Sequence, residues 1–223
     1  MKLNRSVTLL FMFEHFDINN FVIGKQSGVA QGIGVLDSLD AIREDVARRF
    51  AQSAHDRRSA FHTPVVATAD ADARVMVLRS FDEANWTMRF HTDARAPKVY
   101  TIARDSRVGV TVYDREANLQ VRARGIGRVV LNGLLVDAAW ESSTRFARRC
   151  YLGAGPGELA DSPTSGLPPQ FEGAEPGYDE LAPARENFAV LLVEISEFDW
   201  FSLAQTGHRR AVIARESARW ITP

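Results

Sequence analysis

The chain has 223 residues, 45% of them hydrophobic, and a formal net charge of −1, which suits one ordinary globular domain. A charge so balanced argues against nucleic acid or a membrane surface as the partner. The single cysteine, Cys150, excludes an intramolecular disulfide and fits a reducing cytoplasm.

No apolar run approaches the roughly 20 residues of a membrane-spanning helix. Lys2 and Arg5 precede VTLLFMF, a pattern like a signal sequence, but Glu14, His15 and Asp17 follow at once with no A-x-A site. Secretion is therefore not expected. Residues 1–36 show no sustained period and are read as an extension of unassigned role, with one domain over 37–223. Asp37 or Ser38 is a plausible N-cap for a helix to about Ala54. Leu39, Ile42, Val46, Arg49 and Phe50 share one face of that helix, which predicts a single packed side lying on a β core.

Strand rhythm begins at Thr63. TPVVATA is followed by the turn DADA and by RVMVLRSF. In a regular strand Arg74, Met76 and Leu78 face one side and Val75, Val77 and Arg79 the other. The two arginines then serve different sites unless the strand is bulged or twisted. WTMRFHT forms the next strand and runs into the bend at Asp93 to Ala96. Pro97 opens a helix to about Arg104, since proline is suited to the first helical position. A helix start carries free N–H groups and partial positive charge. Thr92, Arg95 and Lys98 surround this one, so the stretch from Arg74 to Lys98 reads as a candidate phosphate site.

RVGVTVYD and NLQVRARGIGRVVL continue an antiparallel meander, with Gly125 and Gly127 marking a bulge or barrel corner. A helix is expected over about Leu135 to Cys150, with Trp140, Phe146 and Tyr151 as its large apolar members. Residues 153–186 are dense in Gly and Pro and carry seven acids against Arg185 alone, which predicts a long solvated loop or lid. NFAVLLVEISEFDW reads as a fully apolar strand and HRRAVIAR as a closing one. The sum is a mainly β (α+β) domain, a small antiparallel barrel with flanking helices. The five histidines form no zinc-type pair, and no metal site is expected. There is no G-x-S-x-G elbow and no G-x-G-x-x-G after a strand, so hydrolase and Rossmann chemistry are not supported.

Three motifs carry a family resemblance. R-V-M-V-L-R with F-H-T-D-A-R-A-P-K is the first, L-Q-V-R-A-R-G the second, and D-W-F-S-L-A-Q-T-G-H-R-R the third. Together, in this order, they resemble the pyridoxamine 5′-phosphate oxidase family of flavin mononucleotide (FMN) proteins over about residues 38–223. The resemblance implies an FMN-binding split β-barrel, and a homodimer with FMN at the subunit interface. It assigns Arg74 and Lys98 to the FMN phosphate and the strand Val75, Met76, Val77, Leu78 and Arg79 to the edge of the flavin. His91 and Thr92 stand at a cofactor-contacting pair, with His in place of Tyr. Gln120, Trp200 and Arg210 match further cofactor contacts, the last two from the partner subunit.

Departures accompany the matches. Pro97 replaces an arginine, whose charge Arg95 is expected to supply. Arg79 replaces a lysine at the substrate phosphate, and Thr206 an arginine over the substrate ring, while His208 is kept. No general base is assigned. The reading is an FMN-dependent oxidoreductase acting on an unknown small-molecule substrate, with Arg79 and His208 at that substrate. The alternatives are a true pyridoxamine 5′-phosphate oxidase and a flavin- or haem-binding carrier or sensor without turnover of its own.

Overall fold

A computed structural model of the chain describes residues 36–223. The expected extension, apart from Leu36, lies outside the described residues. Helix α1 (Leu39–Ser53) is capped by Ser38, whose side chain accepts the Ala41 amide at 3.1 Å. Its predicted stripe packs inward. Ile42, Val46 and Phe50 are fully buried, and Phe50 meets the rings of Phe61, Phe81 and Phe198 at 4.9–5.7 Å. Arg49 of the same stripe reaches solvent only at its edge and pairs with Asp45 and Asp114.

The strands are β1 (Val65–Thr68), β2 (Ala73–Val75), β3 (Leu78–Asp82), β4 (Thr87–Asp93), β5 (Arg107–Asp114), β6 (Leu119–Val130), β7 (Phe188–Ser202), β8 (Arg209–Ala214) and β9 (Ala218–Ile221). All neighbours are antiparallel, in the order β2-β1-β5-β6-β7-β4-β3, with β8 joining β7 and β9 joining β8. One strand divides the sheet. The first half of β7 pairs with β4 and its last third with β8, while β6 follows it along nearly its whole length. The sheet therefore curls as a split barrel, and α1 packs onto its core through Ile42, Val46 and Phe50.

The bend lies where β6 bulges between Arg124 and Gly125. A Cβ at Gly125 would sit 2.2 Å from the Glu194 carbonyl oxygen, so only glycine lets the strands approach there. Near this corner β7 is covered on both faces. Helix α3 (Leu134–Glu141) packs Val136 and Ala139 against Phe188 and Val190 on one face, and the barrel core takes Leu191, Val193 and Ile195 on the other. That double burial is why its sequence reads as an unbroken apolar run.

Two expectations are corrected. The single helix over Leu135 to Cys150 is three pieces: α3, then α4 (Arg145–Arg148), then a 3-10 turn over Arg149–Leu152. The hydroxyls of Ser142 and Ser143 both donate to the Ala139 carbonyl (3.1 and 2.8 Å), and Thr144 caps α4 by accepting the Ala147 amide, so side chains end one helix and begin the next. The segment 153–186 is partly packed structure. Its 3-10 turns at Pro169–Phe171 and Asp179–Asn187 bury Phe171, Leu181 and Ala184, while all seven acids stay exposed. Arg149 holds it down by donating to the Phe171 and Ala174 carbonyls at 2.9 and 3.0 Å.

Candidate functional site

The chain changes partners between β2 and β3. Through Arg74 and Val75 it pairs with β1, and from Leu78 it pairs with β4. Met76 and Val77 bridge the two, with the Met76 amide held by the Pro64 carbonyl at 3.0 Å. The β3–β4 register then skips Arg79, passing from Leu78–Phe90 to Ser80–Arg89. The regular strand assumed from alternation is thus broken at Met76 and bulged at Arg79. As a result Arg74 and Arg79, expected on opposite faces, line one cleft of ≈ 320 Å³ together with Val75, Met76 and Val77.

The opposite wall comes from β4 and from helix α2 (Pro97–Arg104). His91, Thr92 and Asp93 line it, followed by Lys98 in the first turn of α2. Pro97 occupies the first turn as expected. The N-cap is Ala96, which has no side chain to accept the free amides, so the electropositive helix start is not neutralised by a cap. Cys150, Tyr151 and Pro156 close the cleft, which places the start of the acidic segment at its rim. Burial raises the Tyr151 phenol well above its ordinary range, so it stands there as a neutral hydroxyl.

The charges are distributed unequally. Arg74 is held by Asp72 and donates to Thr68 Oγ1 at 3.0 Å and to the Val66 carbonyl at 3.3 Å, which fixes its guanidinium in place. Asp93 is occupied by Arg95, through both the Nε (3.0 Å) and the Nη2 (2.7 Å). Arg95 also reaches the Gly153 carbonyl at 3.1 Å and does not line the cleft, so the structure gives it a tethering role rather than the cofactor-facing one expected. Lys98 makes no hydrogen bond among the described residues. Burial first, then the Arg74 charge, lowers its ammonium below the ordinary lysine range, with Asp93 and Asp72 opposing.

His91 is the most perturbed group. Its imidazole meets Phe188 edge-on at 4.9 Å, and its buried Nε2 has no partner, nor has the buried Nε of Arg79. Burial, reinforced by the guanidiniums of Arg79 and Arg89, pushes it down to about 3. In the unfolded chain a histidine takes its proton near pH 6.5. Folding stability should therefore fall as pH drops through the window from about 6.5 to about 3, where only the unfolded state binds that proton. Imidazole ¹⁵N shifts of the ligand-free protein at about pH 5 should show a neutral His91 ring. A cationic ring there refutes the assignment.

Residues 42–131 match the family described as pyridoxamine 5′-phosphate oxidase, FMN-binding domain. Over that stretch the chain is similar to the FMN-binding domain of this family. Solved structures agree on the fold. A pyridoxamine 5′-phosphate oxidase-related, FMN-binding protein from Nostoc punctiforme is 22% identical with a TM-score of 0.64, over 83% of this chain and all of the other. PhzG from Burkholderia lata, solved with tetrahydrophenazine-1-carboxylic acid, is 16% identical with a TM-score of 0.57, over 82% of this chain and 88% of its own. No curated protein matches the chain.

The remaining expected residues lie apart from the cleft. Gln120, Phe201 and Arg210 stand side by side across β6, β7 and β8, and His208 meets the Phe201 ring edge-on at 5.7 Å. Arg210 is held by Asp199 at 3.0 and 2.8 Å, and Arg122 grips the same carboxylate. Trp200 alternates to the other face, buried against Trp220, with its Nε1 unpartnered. The expected residues thus fall into two groups, one at the cleft and one across β6, β7 and β8. Among the described residues no helix is long and apolar enough to cross a membrane, and no cluster of three His, Cys, Asp or Glu could hold a metal ion.

Proposed function

We propose that the protein is a cytoplasmic FMN-dependent oxidoreductase that works as a homodimer. The observation carrying this reading is the cleft at the β2–β3 crossing. There Lys98, the uncapped start of α2 and the fixed guanidinium of Arg74 offer positive charge, while Arg79 Nε and His91 Nε2 are buried polar atoms without partners. Buried polar atoms are rarely left unpaired, and each such loss costs about 1–3 kcal/mol. A phosphate and a flavin edge fit this donor set. Arg74, Thr92, Lys98 and the α2 amides would hold the phosphate, and the backbone from Val75 to Leu78 would edge the ring with His91 beside it. FMN, when bound, supplies two-electron redox chemistry.

The homodimer follows from the division of the site. At ≈ 320 Å³ the cleft is near the small end of ligand pockets, about 300–1,000 Å³. Val75 on its wall is 64% exposed. A second copy that presents Gln120 and Arg210 would cover it and complete the cofactor's contacts. Arg79 and His208 would then meet the substrate from different subunits, Arg79 by charge and His208 as a polar donor or acceptor. The test is the visible spectrum and sedimentation of the purified protein with added FMN. Flavin bands that stay with a dimer, and flavin fluorescence that is quenched, are expected. A monomer that leaves FMN free in solution overturns the reading.

A further inference from the structure

The two cations at the phosphate end of the cleft come from different elements, Arg74 from β2 and Lys98 from the first turn of α2. Burial first, then the charge of Arg74, lowers the Lys98 ammonium, so the two work against each other in the empty protein. One phosphate can be gripped by both only if β2 and α2 keep a fixed spacing.

Asp70, in the β1–β2 turn, joins the two elements. Its Oδ2 accepts the Thr101 hydroxyl of α2 at 2.9 Å, and its Oδ1 accepts the Thr68 hydroxyl of β1 at 2.7 Å. Thr68 Oγ1 in turn accepts Arg74 Nη1 at 3.0 Å. With the Thr68 proton committed to Asp70, the lone pairs of that oxygen are left for the guanidinium. Three hydrogen bonds thus run from the second turn of α2 to Arg74.

Turn formation does not account for both carboxylate oxygens. Oδ1 accepts the Asp72 amide, at 3.3 Å, as well as the Thr68 hydroxyl, which closes the turn around Ala71 in its left-handed conformation (φ 65°). Oδ2 is given to α2. The hydroxyls of Thr68 and Thr101, in that order, outweigh burial and hold the Asp70 carboxyl below its ordinary range, so it stays an acceptor at neutral pH. Asp70 is exposed, and water competes for it, so the link to Thr101 adds little to the empty fold.

We infer that Asp70 is a positioning residue for the cofactor's phosphate, acting through Thr101 and Thr68 to fix the gap between α2 and Arg74. This role rests on the FMN reading above and concerns the phosphate end alone.

Fluorescence titrations of the apoprotein with FMN and with riboflavin, which lacks the phosphate, test it. Thr101→Val removes the hydroxyl and keeps the shape. It should weaken FMN binding about fivefold, leave riboflavin binding within about twofold and melt with wild type. Thr101→Ser should restore FMN binding. In a Thr68→Val background, which already severs Asp70 from Arg74, Thr101→Val should cost nothing further. The role is overturned by Thr101→Val that binds FMN as wild type does, or that loses riboflavin in equal proportion. A loss that adds in full to that of Thr68→Val overturns it too. If the wild type takes up neither flavin, the cofactor reading falls, and calorimetric titration of the same variants with sodium phosphate decides the tether. Wild type that binds no phosphate either overturns both.

Discussion

Lys98→Ala should weaken FMN binding about 10- to 100-fold without lowering the melting temperature of the apoprotein. Lys98 lines the cleft, lies in the first turn of α2 and has no partner among the described residues. Its burial already works against its charge. An ammonium kept half-buried and unpaired contributes little to the empty fold, so its whole effect should appear when an anion arrives. A hydrogen bond to a charged group is worth about 1.5–3 kcal/mol, and each 1.4 kcal/mol is a factor of ten in affinity.

Arg74→Ala should cause a similar loss of FMN but a different loss of stability. Arg74 ties Thr68, Val66 and Asp72 together at the β1–β2 turn, so its removal should also lower the apoprotein's stability by about 1 kcal/mol. Flavin fluorescence quenching and thermal melting of both variants check the pair of outcomes. Full FMN affinity in Lys98→Ala would remove the phosphate from this cleft. Equal melting of the two variants would mean that the ion pair with Asp72 contributes nothing to the turn.

Much of this site is legible in the chain because local rules govern it. Pro97 marks the helix start wherever the helix ends up, and Ser38 caps α1 through a contact three residues away. The glycines of β6 announce the corner that the Glu194 carbonyl makes obligatory. What escaped depends on partners distant in sequence. The break at Met76 follows from the strand exchanging β1 for β4, and alternation within RVMVLRSF carries no trace of it. That exchange brings Arg74 and Arg79 to one cleft. The packed half of the acidic segment depends on Arg149, which a composition rich in Gly and Pro conceals.

Arg89 is a different kind of omission. It lies two residues before His91 in WTMRFHT, and strand period places both on the same face. The family motif begins one residue later, at Phe90, and does not include it. Three unpartnered nitrogens in adjoining cavities reveal it.

Asp199→Ala should cost about 2–3 kcal/mol and also weaken FMN binding, because one carboxylate serves both ends of the second group. Asp199 is 3% exposed and is gripped by Arg122 and Arg210 from the two flanking strands. Removing one partner of a buried ion pair costs about 3–5 kcal/mol. The side chains of Arg122 and Arg210 are 36% and 24% exposed, so solvent screens the two cations that remain and the cost falls below that range. Burial alone would raise the Asp199 carboxyl. The hydrogen bond from Arg210 and the charges of Arg122 and Arg210 outweigh it and hold the group below the ordinary carboxylate range. Its stabilisation is therefore complete above the unfolded value of about 3.9 and is lost as pH falls through the lower folded value. Denaturant unfolding of wild type and Asp199→Ala should differ most near pH 7 and converge in strong acid. A constant difference across that range would show that packing, not charge, makes the contribution. The released Arg210 no longer holds one orientation beside Phe201 and Gln120, so FMN affinity should fall in the same variant. Unchanged FMN affinity in an Asp199→Ala dimer would take Arg210 out of the cofactor site and leave the cleft of Arg74 and Lys98 to hold FMN alone.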